Sequence, residues 1–179
     1  PPLGIVAHAV VDDPAALEAQ LDGHSIASGR LRGVRDILSA HPDKRVHTWT
    51  DPSRIGSDAL RVGLGSLAER GLTFEAWCYS NQLGELARLA DDVPMTTMVL
   101  DHMGTPVGLA GPHGGQGETE ADRARILDDW HAGLVAVAEH RNVHCKLSGL
   151  LMPICGFGFH ERNTKPSVGE VVDALGPHV

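Results

Sequence analysis

Aromatic residues are scarce in this 179-residue chain, with three Trp, three Phe and one Tyr making up 4%. Cysteine is nearly as rare. Cys78, Cys145 and Cys155 form no CxxC pair, and an odd count fits a reducing cytoplasm better than a disulfide framework. No apolar run approaches the roughly 18–20 residues that a membrane span needs, and no secretory leader is visible. Basic residues are in the minority, 15 Lys and Arg against 23 Asp and Glu for a formal charge of -8, and they form no run. That balance argues against nucleic acid or an anionic membrane surface as the main partner. Neither a GxGxxG nor a Walker sequence follows any candidate strand, so the usual nucleotide sites of open parallel sheets are missing. Among eleven histidines no two are separated by a single residue, so there is no HxH pair.

What is present is 42% hydrophobic sequence, too apolar for disorder and long enough for a sizeable core. Five short β-branched or apolar runs predict strands at residues 3–11, 31–38, 72–79, 96–100 and 143–147. Helices are predicted between and after them. The first opens at Asp13-Pro14, and others cover 59–70, 82–89, 119–140 and 168–175; Gly71 is placed to stop the second, and the fourth carries an amphipathic stripe through Ile126, Trp130, Leu134 and Val137. Three stretches read as loops: 41–58, the glycine-rich 104–117, and 148–165. Repeated strand–helix alternation means parallel strands joined by helical crossovers. The fold class is therefore α/β, either a doubly wound open sheet or part of a (β/α)8 TIM barrel. Polar residues at the carboxyl ends of the strands favour the barrel, because barrel enzymes place their chemistry there.

Those strand ends supply the candidate residues. His102, at the end of TTMVL, is the first: a neutral imidazole there can bind a divalent metal or polarise a carbonyl. Asp101 is expected to point away from the mouth, in a structural role. Arg35 suits a bidentate clamp on a substrate carboxylate, with an ion pair to Asp36 or Glu75 as the equal alternative. Lys146 lies on a buried strand and needs a partner, whether substrate or carboxylate. Trp77 and Tyr79 follow the third strand. The hydrophobic, glycine-rich run 149–162 has the composition of a lid or pocket wall that would bring His160 and Arg162 over the pocket, or of a loop packed on itself. His144 and Cys145 face opposite sides of a strand and form no dyad. Cys145, Cys155 and His160 match no common zinc spacing.

LRGVRDIL, RGLTFEAWCYSNQLGELARLA, TTMVLDHMGTPVG, NVHCKLSGL and MPICGFGFHER together resemble the amidohydrolase-2 family. The likeness is to its branch of metal-dependent TIM-barrel hydrolases, which includes sugar-lactone and 2-pyrone-4,6-dicarboxylate lactonases, and it covers essentially all of 1–179. It implies a (β/α)8 barrel of which this chain supplies roughly strands 2 to 6. His102 would be a metal ligand or carbonyl-polarising residue, with Arg35, Trp77, Tyr79 and Lys146 lining the substrate pocket. It also implies a small-molecule substrate, a carboxylated lactone or a related ester or amide ring, opened by an activated water, with or without a divalent metal (zinc or manganese). The family's HxH pair and its eighth-strand aspartate are not in this sequence, and a barrel needs roughly 250 residues. The sequence thus reads as a portion of a longer enzyme whose open edges would favour self-association as a homo-oligomer. A metal-dependent non-oxidative decarboxylase and a non-catalytic barrel fragment are the alternatives.

Overall fold

The computed structural model describes residues 3–179. Five parallel strands alternate with five helices: β1 (Ile5–His8), α1 (Pro14–Ala27), β2 (Leu31–Ile37), α2 (Asp58–Glu69), β3 (Thr73–Trp77), α3 (Leu83–Asp92), β4 (Met98–Leu100), α4 (Glu120–Ala138), β5 (Val143–Cys145) and α5 (Val168–Leu175). The strands pair in sequence order, β1-β2-β3-β4-β5. A doubly wound sheet reverses its strand order at a switch point, whereas a barrel wall never does. This order is that of a barrel wall.

Local sequence explains where the helices start. The side chain of Asp13 accepts the Ala16 N–H with Pro14 at the first helical position, Ser57 caps α2, and Thr119 with Asp122 forms a capping box on α4. β1 is shorter than its apolar run because the Val10 and Val11 N–H groups leave the ladder for the Gln20 and Asp36 side chains. β4 starts late because Thr96 turns its hydroxyl to the Leu64 carbonyl.

Strand alternation separates two faces. Val34, Phe74, Ala76, Met98 and Leu100 are buried on one, in a single core with Leu17 and Leu21 of α1, Leu60, Leu64 and Leu67 of α2, Leu83 and Leu86 of α3, and Trp130 of α4. Emptying any of these leucine sites costs about 2–5 kcal/mol. The other face carries the row His8, Arg35, Glu75, Val99 and His144, in register across all five strands. The helix-covered face builds stability. The opposite face, toward its carboxyl end, holds the ionisable groups.

Candidate active site

The densest cluster of charge lies at the carboxyl ends of β2 to β5. Arg35 on β2 donates through Nε (2.8 Å) and Nη2 (2.5 Å) to Oε2 of Glu75 on β3. Lys146, just past β5, places Nζ 2.6 Å from the same oxygen and 3.1 Å from Oδ1 of Asp101. Arg35 Nε is also 2.9 Å from Asp101 Oδ2, an ion pair without the alignment of a hydrogen bond, since that buried oxygen accepts none. Two cations and two carboxylates thus cancel. Burial alone would raise the Glu75 carboxyl, but the hydrogen bonds from Lys146 and Arg35 outweigh it and hold the group below the ordinary range.

Asp101 corrects the expectation that it points away. Its side chain is 0% exposed and lies among the inward-facing charges. Val99 is inward in register and Leu100 outward, so the next residue returns to the inner face. The strand then ends in a turn in which three non-glycine residues take positive φ: His102 (φ 55°), Met103 (φ 52°) and Thr105 (φ 36°). Left-handed backbone costs such residues about 1–2 kcal/mol each and persists only where the surroundings enforce it. Here Trp130 of α4 donates its indole N–H to the Met103 carbonyl (2.6 Å), the Thr105 N–H bonds the His102 carbonyl (2.9 Å), and Trp77 donates to Thr105 Oγ1 (2.9 Å).

The turn puts the His102 imidazole beside the charge cluster. Its Nδ1 shares a 3.0 Å hydrogen bond with Ser148 Oγ, and among the described residues Nε2 has no hydrogen-bond partner. Partial burial lowers the imidazole below its ordinary value of 6.5; the opposing pull of Asp101 and Glu75 is met by Arg35 and Lys146. Near neutrality the ring is uncharged. Gly149 makes its seat possible, since at φ 79° a Cβ there would come within 2.4 Å of the His102 Cβ.

The other candidates fall in three places. Trp77 stands edge-on to His102, ring centroids 5.9 Å apart at 90°. Tyr79 is 1% exposed and packs with Val46 and Val107 instead of facing the cluster; its hydroxyl donates to the His47 carbonyl (2.9 Å). His160 and Arg162 also stay clear of the cluster. Main-chain bonds Gly108–Ile154 and Ala110–Cys155 (2.9 Å each) fasten the 149–162 loop to the 104–117 loop. Arg162 then pairs with Glu170 at the start of α5 (2.6 Å) and lies over the Phe159 ring, while the His160 ring lies 3.8 Å from the Glu161 carboxylate. Burial pushes the Cys78 and Cys155 thiols up to about 12, which leaves neither a nucleophile. Among the described residues no three His, Cys, Asp or Glu side chains converge as a metal-binding group. Sequence reading missed Glu75 as more than a partner for Arg35, and missed Trp49, whose ring lies 5.8 Å from that of Trp77.

A family model described as amidohydrolase matches residues 1–177. This chain belongs to the amidohydrolase family. An L-fucono-1,5-lactonase of Burkholderia ambifaria is 30% identical over 139 residues, 77% of this chain and 40% of that protein. An uncharacterised protein of Sinorhizobium fredii is 29% identical over 175 residues, 98% of this chain and 53% of its own length. The crystal structure of a Burkholderia multivorans amidohydrolase with bound HEPES is similar with a TM-score of 0.63 at 25% identity, over 83% of this chain and 45% of that one. A second crystal form, with bound zinc, gives 0.60 at 24%. This amidohydrolase therefore spans about half the length of the curated relatives it matches, and its five strands are part of a (β/α)8 barrel wall. No described helix is long and apolar enough to cross a membrane.

Proposed function

We propose that this amidohydrolase contributes the carbonyl-polarising half of a lactonase site. The observation that carries the reading is His102, seated on a strained, clamped turn beside the Arg35–Glu75–Lys146–Asp101 cluster and kept uncharged by partial burial. With Ser148 donating to Nδ1, the remaining proton sits on Nε2, which donates to the lactone carbonyl oxygen. A water oxygen adds to the carbonyl carbon and gives up a proton to solvent, and the resulting oxyanion is met by the imidazole N–H. The ring C–O bond then breaks, the leaving oxygen takes a proton, and the product is a hydroxy acid. Donors fixed in advance are worth most against such developing charge. Glu75 and Asp101 act by holding Arg35 and Lys146 in place, not as bases, because both are already engaged by those cations.

Kinship with an L-fucono-1,5-lactonase supports a lactone as the substrate class. Arg35 is tied to two carboxylates and the cluster has no net charge, which favours an uncharged lactone over the carboxylated one that the sequence suggested. A zinc or manganese ion does not fit the donors this chain brings. Among the described residues the cluster offers one imidazole, no three His, Cys, Asp or Glu side chains converge, and the carboxylates are occupied by cations, so no step is assigned to a metal. Three free cysteines fit a cytoplasmic enzyme.

A panel of aldonolactones and carboxylated lactones, followed by acid release with a pH indicator on the intact protein, tests the reading. Hydrolysis of the uncharged members is expected. Release of carbon dioxide from unsaturated acids would support a decarboxylase instead, and inertness toward every lactone would overturn the proposal.

A further inference from the structure

Beside His102 stands a wall of aromatic rings in a chain that has few. His47 and Trp49 meet edge to face (4.6 Å, 86°), Trp49 and Trp77 are tilted neighbours (5.8 Å, 42°), and Trp77 meets His102 (5.9 Å, 90°). Trp49 is 53% exposed, although an indole carries a large apolar area that normally seeks burial. It is not loosely hung. Its main-chain N–H bonds the Ser39 carbonyl (2.9 Å), and its ring is flanked by that of His47, whose carbonyl accepts from the Tyr79 hydroxyl (2.9 Å). Trp77 behind it commits its indole N–H to Thr105 Oγ1 (2.9 Å). With Trp77 tied by its indole N–H and Trp49 packed between the His47 and Trp77 rings, ring surface is what Trp49 offers beside the site. The loop that carries it is tied to the 104–117 loop, where Asp43, paired with Arg45 (2.7 Å), accepts from Gln116 (3.0 Å).

We propose that Trp49, with Trp77 behind it, is a stacking subsite for the non-reacting part of the substrate ring. The ligand class is an uncharged, hydroxylated lactone ring that lays its C–H face on the indole. Saturated C–H bonds carry slight positive charge toward the negative face of an aromatic ring, and stacking replaces the water that an exposed indole orders poorly. A carboxylate gains nothing from that face, and the adjoining ion cluster is internally balanced. Tyr79 supports the same loop from beneath, its buried hydroxyl donating to the His47 carbonyl. The proposal rests on the lactonase reading for its ligand class.

The test is calorimetric binding of an aldonolactam, the hydrolysis-resistant amide analogue of an aldonolactone, to the intact wild-type protein and to the W49F and W49L variants. The Leu variant keeps apolar bulk without a ring and should still fold. W49F is expected to bind within about threefold of wild type, and W49L about tenfold more weakly. In turnover, W49L should raise KM by a similar factor and leave kcat near wild type. Equal affinity for W49L and wild type, or no binding of the lactam at all, overturns the stacking subsite. Failure of the two readings is distinguishable. Lactam binding that depends on the Trp49 ring, without hydrolysis of any lactone, sinks the reaction and keeps the subsite. Hydrolysis with no dependence on Trp49 does the reverse.

Discussion

Replacing Asp101 by Asn removes one of the two negative charges beside His102 with little change in volume. Glu75 is then left alone between Arg35 and Lys146, and the cluster carries one uncompensated positive charge. Breaking a fully buried ion pair from one side costs about 3–5 kcal/mol. Asp101 is fully buried, but the Arg35 and Lys146 side chains are 43% and 34% exposed, so water screens part of the excess. The expected loss is therefore about 2–3 kcal/mol, read as a shift in the urea midpoint at unchanged m-value. The same account makes the losses non-additive. Lys146→Met alone leaves one excess negative charge, whereas Asp101→Asn combined with Lys146→Met restores balance around the Arg35–Glu75 pair. The double variant should be more stable than the sum of the single effects by at least about 1 kcal/mol. Strict additivity, or an Asp101→Asn loss below about 0.5 kcal/mol, would refute the idea that these four groups form one balanced unit.

Two further outcomes follow from the same geometry. Because the His102 pKa lies below its ordinary 6.5, the unfolded chain binds the proton more readily than the folded one. Activity should be flat above pH 6.5 and fall as pH drops through the lowered value, and the stability contributed by this group should decline over the same window in urea titrations; a loss of activity that begins above 6.5 would contradict the uncharged ring. Gly149→Ala should lower kcat at least about tenfold while leaving the chain folded, because both the φ of 79° and a Cβ contact of 2.4 Å force the imidazole or its support to move; unchanged kcat would show that the seat of His102 is not restrictive.

Much of the fold was legible because it is written in periodicity. Apolar runs separated by capped helices announce parallel strands, and Asp13, Ser57 and Thr119 mark helix starts by side-chain chemistry that acts locally. Strand ends were harder to place, since they depend on which side chain intercepts a backbone N–H, as Gln20 and Asp36 do at Val10 and Val11. Of the site, His102, Arg35 and Lys146 could be singled out from their positions at strand ends. The direction of Asp101 could not, because it depends on the parity of β4 and on a left-handed turn that pattern reading does not reveal. Trp49 was invisible for a different reason. It sits in an irregular loop with no period, and its relevance comes from a neighbour 28 residues away on β3. His160 and Arg162 show the converse, since a glycine-rich composition cannot say which way a loop will be fastened.

The most direct measurement is turnover of the best lactone by His102→Ala beside His8→Ala, each checked for folding by circular dichroism. His102 lies beside the charge cluster, whereas His8 is exposed on the edge strand and shares its ring nitrogen with the Arg35 carbonyl at 3.2 Å. Loss of a donor to developing oxyanion charge predicts a kcat at least about 100-fold lower for His102→Ala, and activity near wild type for His8→Ala. A folded His102→Ala variant that keeps a tenth or more of wild-type turnover, or equal losses in the two variants, would contradict the account.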